Sequence, residues 1–202
     1  MNAKKKNTQQ TTRKGEGEPL GILRQSSGGS GVASLDLDLS NLPVPERRYT
    51  ADVAGLLQSK SLVRMLFGQT KVDGIQIRSM LDVHFSMAGI TRFLNTTQAL
   101  EPVFEHLKLN YGVTRSDLTD FSDEPNQTIG LTANIVMSSC SEWESCLDFY
   151  QISPFSIAAA QKGGGLSADQ VVRVSLPTDL FMGMIESLKL IVESQAIASG
   201  EK

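Results

Sequence analysis

The chain has 202 residues, enough for one large domain or two small ones, and its 40% hydrophobic and 20% charged residues are typical of a globular protein. No apolar run reaches the roughly 18 residues of a transmembrane helix, and no apolar segment follows the lysines at positions 4–6 as it would in a secretory signal, so we expect a cytoplasmic protein without a membrane partner. The net charge of −3 is uneven, because residues 1–48 carry eight Lys/Arg and five Asp/Glu whereas residues 49–202 carry eleven and seventeen. Such an acidic body is poorly suited to holding nucleic-acid phosphates.

Residues 1–48 form a predicted N-terminal arm. Residues 1–33 are rich in Lys, Gln, Thr, Gly and Ser, a composition with little to bury that is typical of a disordered, flexible segment. Residues 34–40 alternate apolar and polar residues with the period of a half-buried strand, which places Leu35, Leu37 and Leu39 on one side. We expect this stretch to be able to add to a sheet edge before Pro43 and Pro45 end it.

Two similar segments lie 82 residues apart. Residues 59–69 (SKSLVRMLFGQ) and 141–151 (SEWESCLDFYQ) share serine, phenylalanine and glutamine at matching positions, and Ala51–Val53 matches Ala133–Ile135 at the same spacing. This similarity indicates an internal duplication.

The first copy is predicted over 49–110. Alternation predicts strands at 50–57, 62–69 and 75–85, and then Met87, Ile90, Phe93 and Leu94 fall on one face of a helix. A second helical segment is predicted at 98–109. Residues 111–128, which are acidic and rich in turn-forming residues, form the predicted connector.

The second copy is predicted over 129–197 and repeats this order. Strands are predicted at 129–137, 143–152 and 171–176, followed by a helix with its apolar stripe at Leu180, Met184, Leu188 and Ile191. The third strands align at a spacing of 89, Val83 with Val172 and Ser86 with Ser175, which puts seven extra residues in the connection around Gly163–Gly165. The predicted fold is therefore α+β, two tandem copies of a three-stranded antiparallel sheet followed by a helix, which form one pseudo-twofold unit.

The second copy resembles a bacterial and archaeal family, domain-of-unknown-function family 3467. The resemblance lies in Ser141 with Leu147–Phe149, in the segment Val172–Pro177, and in the long helix that ends near Glu193. It is clearest over 130–195, and it extends to 50–95 only through the internal repeat. The resemblance implies a strand–strand–helix order and no established activity.

No catalytic, cofactor-binding or metal-ligating residues are predicted. His84, His106, Cys140 and Cys146 have no metal-ligand spacing, and two cysteines are too few for a disulfide framework. Gly163–Gly165 lacks the Lys-Ser/Thr of a phosphate loop, and Glu142 and Glu144 are more simply explained as a solvated strand edge than as an acid/base pair. The candidate interaction surface consists of Trp143, Tyr150, Leu35, Leu37 and Leu39.

The leading hypothesis is a non-enzymatic protein-interaction or structural module. It would be a homo-oligomer or a subunit of a bacterial assembly, because pairing the open sheet edges of the two copies, or of two chains, would remove an aggregation risk. One alternative is a chaperone-like or adaptor protein that binds extended segments in a groove. Another is a nucleic-acid binder that acts through the basic N-terminal arm.

Overall fold

The computed structural model describes residues 21–25, 33–37, 42–59, 61–72, 74, 76–121, 128–162 and 166–199, with the backbone alone at 21–25, 33–37, 79–80 and 198–199. Helices and strands are mixed as in an α+β protein, which confirms the predicted class. The strands are β1 Gly21–Gln25, β2 Ala33–Leu37, β3 Arg48–Thr50, β4 Val53–Gln58, β5 Leu62–Thr70, β6 Ile77–Ser86, β7 Ile129–Ala133, β8 Ile135–Cys140, β9 Glu144–Gln151 and β10 Asp169–Pro177. The helices are α1 Met87–Thr97, α2 Glu101–Tyr111, α3 Pro154–Gln161 and α4 Thr178–Ser199, and a short 3-10 turn at Gln98–Leu100 joins α1 to α2.

Two four-stranded sheets form the body, and both have the same connectivity. In one sheet β4, β5 and β6 are antiparallel neighbours and β7 pairs parallel to β6. In the other sheet β8, β9 and β10 are antiparallel neighbours and β3 pairs parallel to β10. Each sheet thus takes three strands from one half of the chain and its fourth from the other half, where 42–121 is the first half and 128–199 the second. The prediction of three strands per sheet is wrong because no local pattern indicates this exchange.

The exchange occurs where two predicted strands break. The stretches 50–57 and 129–137 each divide, at Asp52 and at Asn134, into strands that belong to different sheets. At each break a side-chain oxygen accepts a backbone N–H: Asp52 Oδ1 that of Thr70 at 2.7 Å, and Asn134 Oδ1 that of Ile152 at 2.9 Å. The N–H groups of Asp52 and Asn134 in turn donate to the carbonyls of Gly68 and Tyr150. Each break is therefore tied to the neighbouring strand by two bonds, which stabilise the crossing.

A β-bulge lies at the matching place in both sheets. The ladder register shifts between Phe67 and Gly68 on β5, which leaves Met80 of β6 as the extra residue, and a shift on β10 leaves Val171 as the extra residue opposite β9. Bulges are specific features that bend a strand and re-aim its side chains. Their recurrence means that the two halves share not only strand order but also the irregularities of the ladder.

The registers correct the predicted alignment of the third strands. Phe67 pairs with Leu81 and Phe149 pairs with Val172, so Leu81 rather than Val83 takes the position of Val172. By the same registers, Val83 corresponds to Val174 and Ser86 to Pro177, a spacing of 91 rather than 89. The predicted alignment is therefore shifted by two residues. Because side chains alternate with a period of two, such a shift keeps every side chain on its predicted face, and alternation alone could not reveal it. The longer connection in the second half contains α3, which the sequence analysis did not predict.

One hydrophobic core is shared by both halves. It takes the inward side chains of both sheets and the apolar faces of α1 and α4, including the predicted Ile90, Phe93, Leu180 and Met184. Helix α1 lies against β8 and helix α4 lies against β4, so each helix also covers a strand of the other half. A smaller cluster around α3 contains Ile135, Tyr150, Ile152, Ala160 and Leu166.

The segment that follows α2 runs along β4. The Thr119 N–H donates to the Ala54 carbonyl at 2.8 Å, and the buried Phe121 ring lies so close to Gly55 that a Cβ atom there would be 2.3 Å from the ring. Only glycine fits this approach. The first part of the predicted connector is therefore packed, and residues 122–127 lie outside the described residues.

Strands β1 and β2 pair with each other, antiparallel and with Leu23 opposite Leu35. They form a separate two-stranded sheet and do not extend either four-stranded sheet. The predicted strand near residues 34–40 is therefore present at 33–37, but its partner is β1. Disorder was predicted for residues 1–33, but the structure has strand β1 at Gly21–Gln25, and residues 1–20 and 26–32 lie outside the described residues.

Among the described helices, none is both long enough and apolar enough to cross a lipid bilayer.

Candidate functional site

An open groove of about 410 Å³ lies where the end of α2, the β8–β9 turn and the start of α4 meet. Its walls are residues 111–114, 142–143 and 177–179. We call it the aromatic groove, because the rings of Tyr111 and Trp143, both in its lining, meet edge to face with centroids 6.3 Å apart and planes at 71°. Three segments that are distant in the sequence thus build one surface feature.

The turn that carries Trp143 is held by its own hydrogen bonds. The Ser141 N–H and hydroxyl donate to the Glu144 carbonyl at 2.9 and 2.8 Å, and the Ser141 Oγ accepts the Glu144 N–H at 3.1 Å. The Trp143 carbonyl accepts the N–H of Thr178 at 3.2 Å, which ties the turn to the start of α4. The indole nevertheless remains 73% exposed, so its backbone is fixed while its side chain is open to solvent.

Tyr111 is placed by the end of α2. Gly112, in the left-handed conformation with φ of 64°, ends the helix and donates its N–H to the carbonyls of Leu107 and Lys108. Only glycine adopts this conformation without strain. A hydrogen bond to the Glu142 carboxylate, and the charge of that carboxylate, raise the pKa of the Tyr111 hydroxyl. The His106 ring packs edge-on against the Tyr111 ring at 5.9 Å.

The groove floor is the junction of β10 and α4. The Thr178 hydroxyl donates to the Ser141 carbonyl at 3.0 Å and lies 3.1 Å from the buried Ser145 hydroxyl. Asp179 Oδ2 accepts the Ser116 hydroxyl at 2.5 Å, and Asp179 Oδ1 lies 2.8 Å from the Leu180 N–H. These contacts fasten the loop after α2 to the first turn of α4 and hold the floor in one position.

The charge of the aromatic groove is negative. Among the described residues, its lining includes the carboxylates of Glu142 and Asp179 and no Lys or Arg. Asp179 lies in the first turn of α4, where the helix dipole favours a negative side chain. Glu142 lies on the turn beside Trp143, so its charge faces solvent and the aromatic rings.

Of the residues predicted for an interaction surface, only Trp143 is shown at a groove. Tyr150 is 2% exposed and donates its hydroxyl to the Pro43 carbonyl at 3.1 Å, so its predicted place in an exposed patch is wrong. Alternation could not show this, because α3 and its neighbours cover the face of β9 that was expected to be open. Leu35 and Leu37 lie in β2, described by its backbone alone, and Leu39 lies outside the described residues.

The sequence analysis missed Tyr111 and Asp179 and assigned Glu142 to a plain solvated edge. The one local signal for Tyr111 was its place before Gly112, at the end of a predicted helix. Nothing in the sequence joins Tyr111 to Trp143, because tertiary packing alone brings α2 to the β8–β9 turn.

Two ion pairs lie on the sheet faces away from the core. Arg173 forms a two-point bond with Asp148, at 2.5 and 2.6 Å. On the other sheet Asp82 Oδ2 lies 2.5 Å from Arg64 and 3.1 Å from His84 Nε2, and Asp82 is 3% exposed. Cys140 and Cys146 are free thiols. Within the described residues, no cluster of three or more His, Cys, Asp or Glu side chains could hold a metal ion.

No protein-family model, curated protein or solved structure matches this chain. The resemblance of residues 130–195 to domain-of-unknown-function family 3467 therefore stays a prediction.

Proposed function

We propose that this protein is a non-enzymatic protein-interaction module, a cytoplasmic subunit of an oligomeric assembly that binds its partner at the aromatic groove. The observation that carries the proposal is Trp143, an indole 73% exposed on a turn whose backbone is held by four hydrogen bonds to residues 141, 144 and 178. Large aromatic side chains usually gain stability from burial. A rigidly presented, exposed tryptophan next to a tyrosine is the arrangement that contributes most at protein interfaces.

The proposed architecture is an internal duplication with exchanged strands. Its support is that the two sheets share connectivity, bulge position and crossing bonds. The spacing is 82 residues between β5 and β9 and 91 residues between β6 and β10. Two copies of one unit that exchange their first strands would form a compact pseudo-dimer. The tryptophan of the aromatic groove is not repeated in the first half, because the residue that matches Trp143 at a spacing of 82 is Ser61. A duplicated scaffold with one specialised turn suits a binding module.

The test compares three purified forms of the full chain as bait in extracts of the native host. They are the wild type, Trp143→Ser and the matched control Phe155→Ser, which removes an aromatic side chain that is 87% exposed but lies outside the groove. We expect a host protein to bind to the wild type and to Phe155→Ser but not to Trp143→Ser. That protein is then purified and its Kd measured for all three forms.

Light scattering on the same three proteins measures their molecular mass in solution and so tests for self-association. If the partner is a second copy, the mass of the wild type and of Phe155→Ser should exceed that of Trp143→Ser. The proposal fails if neither a bound protein nor the mass depends on Trp143. It also fails if a catalysed turnover is found that one point mutation abolishes.

A further inference from the structure

We infer that the aromatic groove binds the guanidinium group of an arginine in a segment of a partner protein. The inference rests on the proposed function and specifies the chemistry of the partner. It follows from three features of the groove, which are the angle between its aromatic rings, the sign of its charge, and the position of the Glu142 carboxylate beside the rings.

The two rings form a corner beside which a flat cation can stack. The planes of Tyr111 and Trp143 stand at 71° with centroids 6.3 Å apart. A cation is attracted to the face of an aromatic ring within about 6 Å of its centre, most strongly to that of tryptophan. Guanidinium is planar and weakly hydrated, so it stacks on such a face more readily than an ammonium group does.

The charge of the groove favours a positive ligand. Glu142 and Asp179 supply its charged lining groups, and no competing Lys or Arg is found among the described residues that line it. The chain outside residues 1–48 is also acidic, with eleven Lys/Arg and seventeen Asp/Glu. A net negative body that carries an acidic groove attracts a basic segment and speeds its association.

Glu142 is the carboxylate that pairs with the arginine. Both oxygens of Asp179 already have neighbours, the Ser116 hydroxyl and the Leu180 N–H. The Glu142 carboxylate raises the pKa of the neighbouring Tyr111 hydroxyl, and a carboxylate has about four acceptor positions, so Glu142 can accept two N–H groups from a guanidinium. The expected complex therefore has the guanidinium against the Trp143 face and hydrogen-bonded to Glu142.

The test uses the fluorescence of Trp143, the only tryptophan of the chain. The probe is the peptide Gly-Ser-Arg-Gly-Arg-Ser-Gly with blocked termini, and the control peptide carries citrulline in place of both arginines, which keeps the shape and removes the charge. We expect the arginine peptide to change the emission in a saturable way that weakens with added salt. The citrulline peptide should bind at least about tenfold more weakly.

Variants of the full chain locate the contact. Glu142→Gln should weaken binding about fivefold, whereas Glu193→Gln, which removes an equal charge from the exposed far end of α4, should leave it unchanged. Trp143→Leu lacks the fluorophore, so calorimetry follows its binding, which should be lost, while Trp143→Phe should retain part of it. Equal binding of the two peptides, or equal effects of Glu142→Gln and Glu193→Gln, would overturn the inference.

Failure of this inference can be told apart from failure of the proposed function. If no arginine peptide binds but a partner protein is still lost from Trp143→Ser, the arginine contact is wrong and the interaction role stands. If the arginine peptide binds at Glu142 but no protein depends on Trp143, the groove chemistry stands and the interaction role fails.

Discussion

Phe67 and Phe149 meet edge to face at the centre of the core, with ring centroids 6.0 Å apart. They lie at matching positions on β5 and β9, 82 residues apart in the sequence. Each belongs to a different sheet, and both are fully buried. This contact joins the two halves of the chain. A second contact does the same, because Phe149 also packs against Phe85 of the first half with ring centroids 6.3 Å apart.

Replacing either phenylalanine by alanine should lower the free energy of unfolding by roughly 3–5 kcal/mol, the usual cost of truncating a buried Phe. Urea denaturation of Phe67→Ala and Phe149→Ala measures the loss. Phe155→Ala is the matched control, since an 87% exposed ring should contribute less than about 0.5 kcal/mol. A core variant that unfolds at the wild-type urea concentration would contradict the packing.

Two N-terminal deletions should differ sharply. Deleting residues 1–41 removes β1 and β2, which are outside both four-stranded sheets, so the melting temperature should change by no more than a few degrees. Deleting 1–50 also removes β3, which pairs with β10, and Pro43, whose carbonyl accepts the Tyr150 hydroxyl. The melting temperature should therefore fall strongly, or the cooperative transition should be lost. Thermal unfolding, monitored by circular dichroism, measures the melting temperature of both deletion variants. Equal effects of the two deletions would contradict the exchanged position of β3.

The two halves should not fold separately. A fragment of residues 42–121 lacks β7 and leaves β3 without its sheet, and a fragment of 128–199 lacks β3. Each should have the far-ultraviolet circular dichroism of an unfolded chain, and mixing them should restore strand and helix signals. A cooperative thermal transition in either fragment alone would show that the exchange is not required.

Gly183→Ala should destabilise the protein even though alanine favours helices by about 1 kcal/mol. A Cβ atom at position 183 would lie 2.0 Å from the Ser116 carbonyl oxygen, a backbone atom that is held by the bonds of Ser116 to Asp179. We expect a net cost of about 1–3 kcal/mol, the range for overpacking. Gly130→Ala is the control, because nothing lies within 4 Å of its Cβ position. A Gly183→Ala variant more stable than wild type would contradict this close approach.

Tyr150 should make stability depend on pH in the alkaline range. Burial, and then the Asp148 carboxylate, raise its pKa to about 12, whereas an unfolded tyrosine ionises near about 10. Because the folded pKa is the higher one, the contribution of Tyr150 is complete below about pH 10 and is lost as the pH rises towards 12. Near-ultraviolet titration should show a tyrosine transition near pH 12 that is missing in Tyr150→Phe. If Tyr150→Phe instead loses a transition near pH 10, the burial of Tyr150 is wrong.

The sequence by itself determined the local elements. Val63, Met65 and Phe67 alternate, and the structure buries all three on one face of β5. Ser86 precedes a helical stripe, and its hydroxyl accepts the Gly89 N–H at the start of α1. These features follow from the periods of helix and strand and from capping, which depend on neighbours within a few residues.

The tertiary structure alone decided how those elements combine. Alternation has a period of two, so it could not distinguish a spacing of 89 from one of 91 between the third strands, and only the ladder register did. No local pattern shows that β3 leaves its neighbour β4 to pair with β10, or that Tyr150 is covered while Trp143 is not. The first outcome depends on strands from opposite halves of the chain, and the second on the packing of α3 and its neighbours over β9. The aromatic groove is of the same kind, because Tyr111 and Trp143 meet only after α2 and the β8–β9 turn have packed around the start of α4.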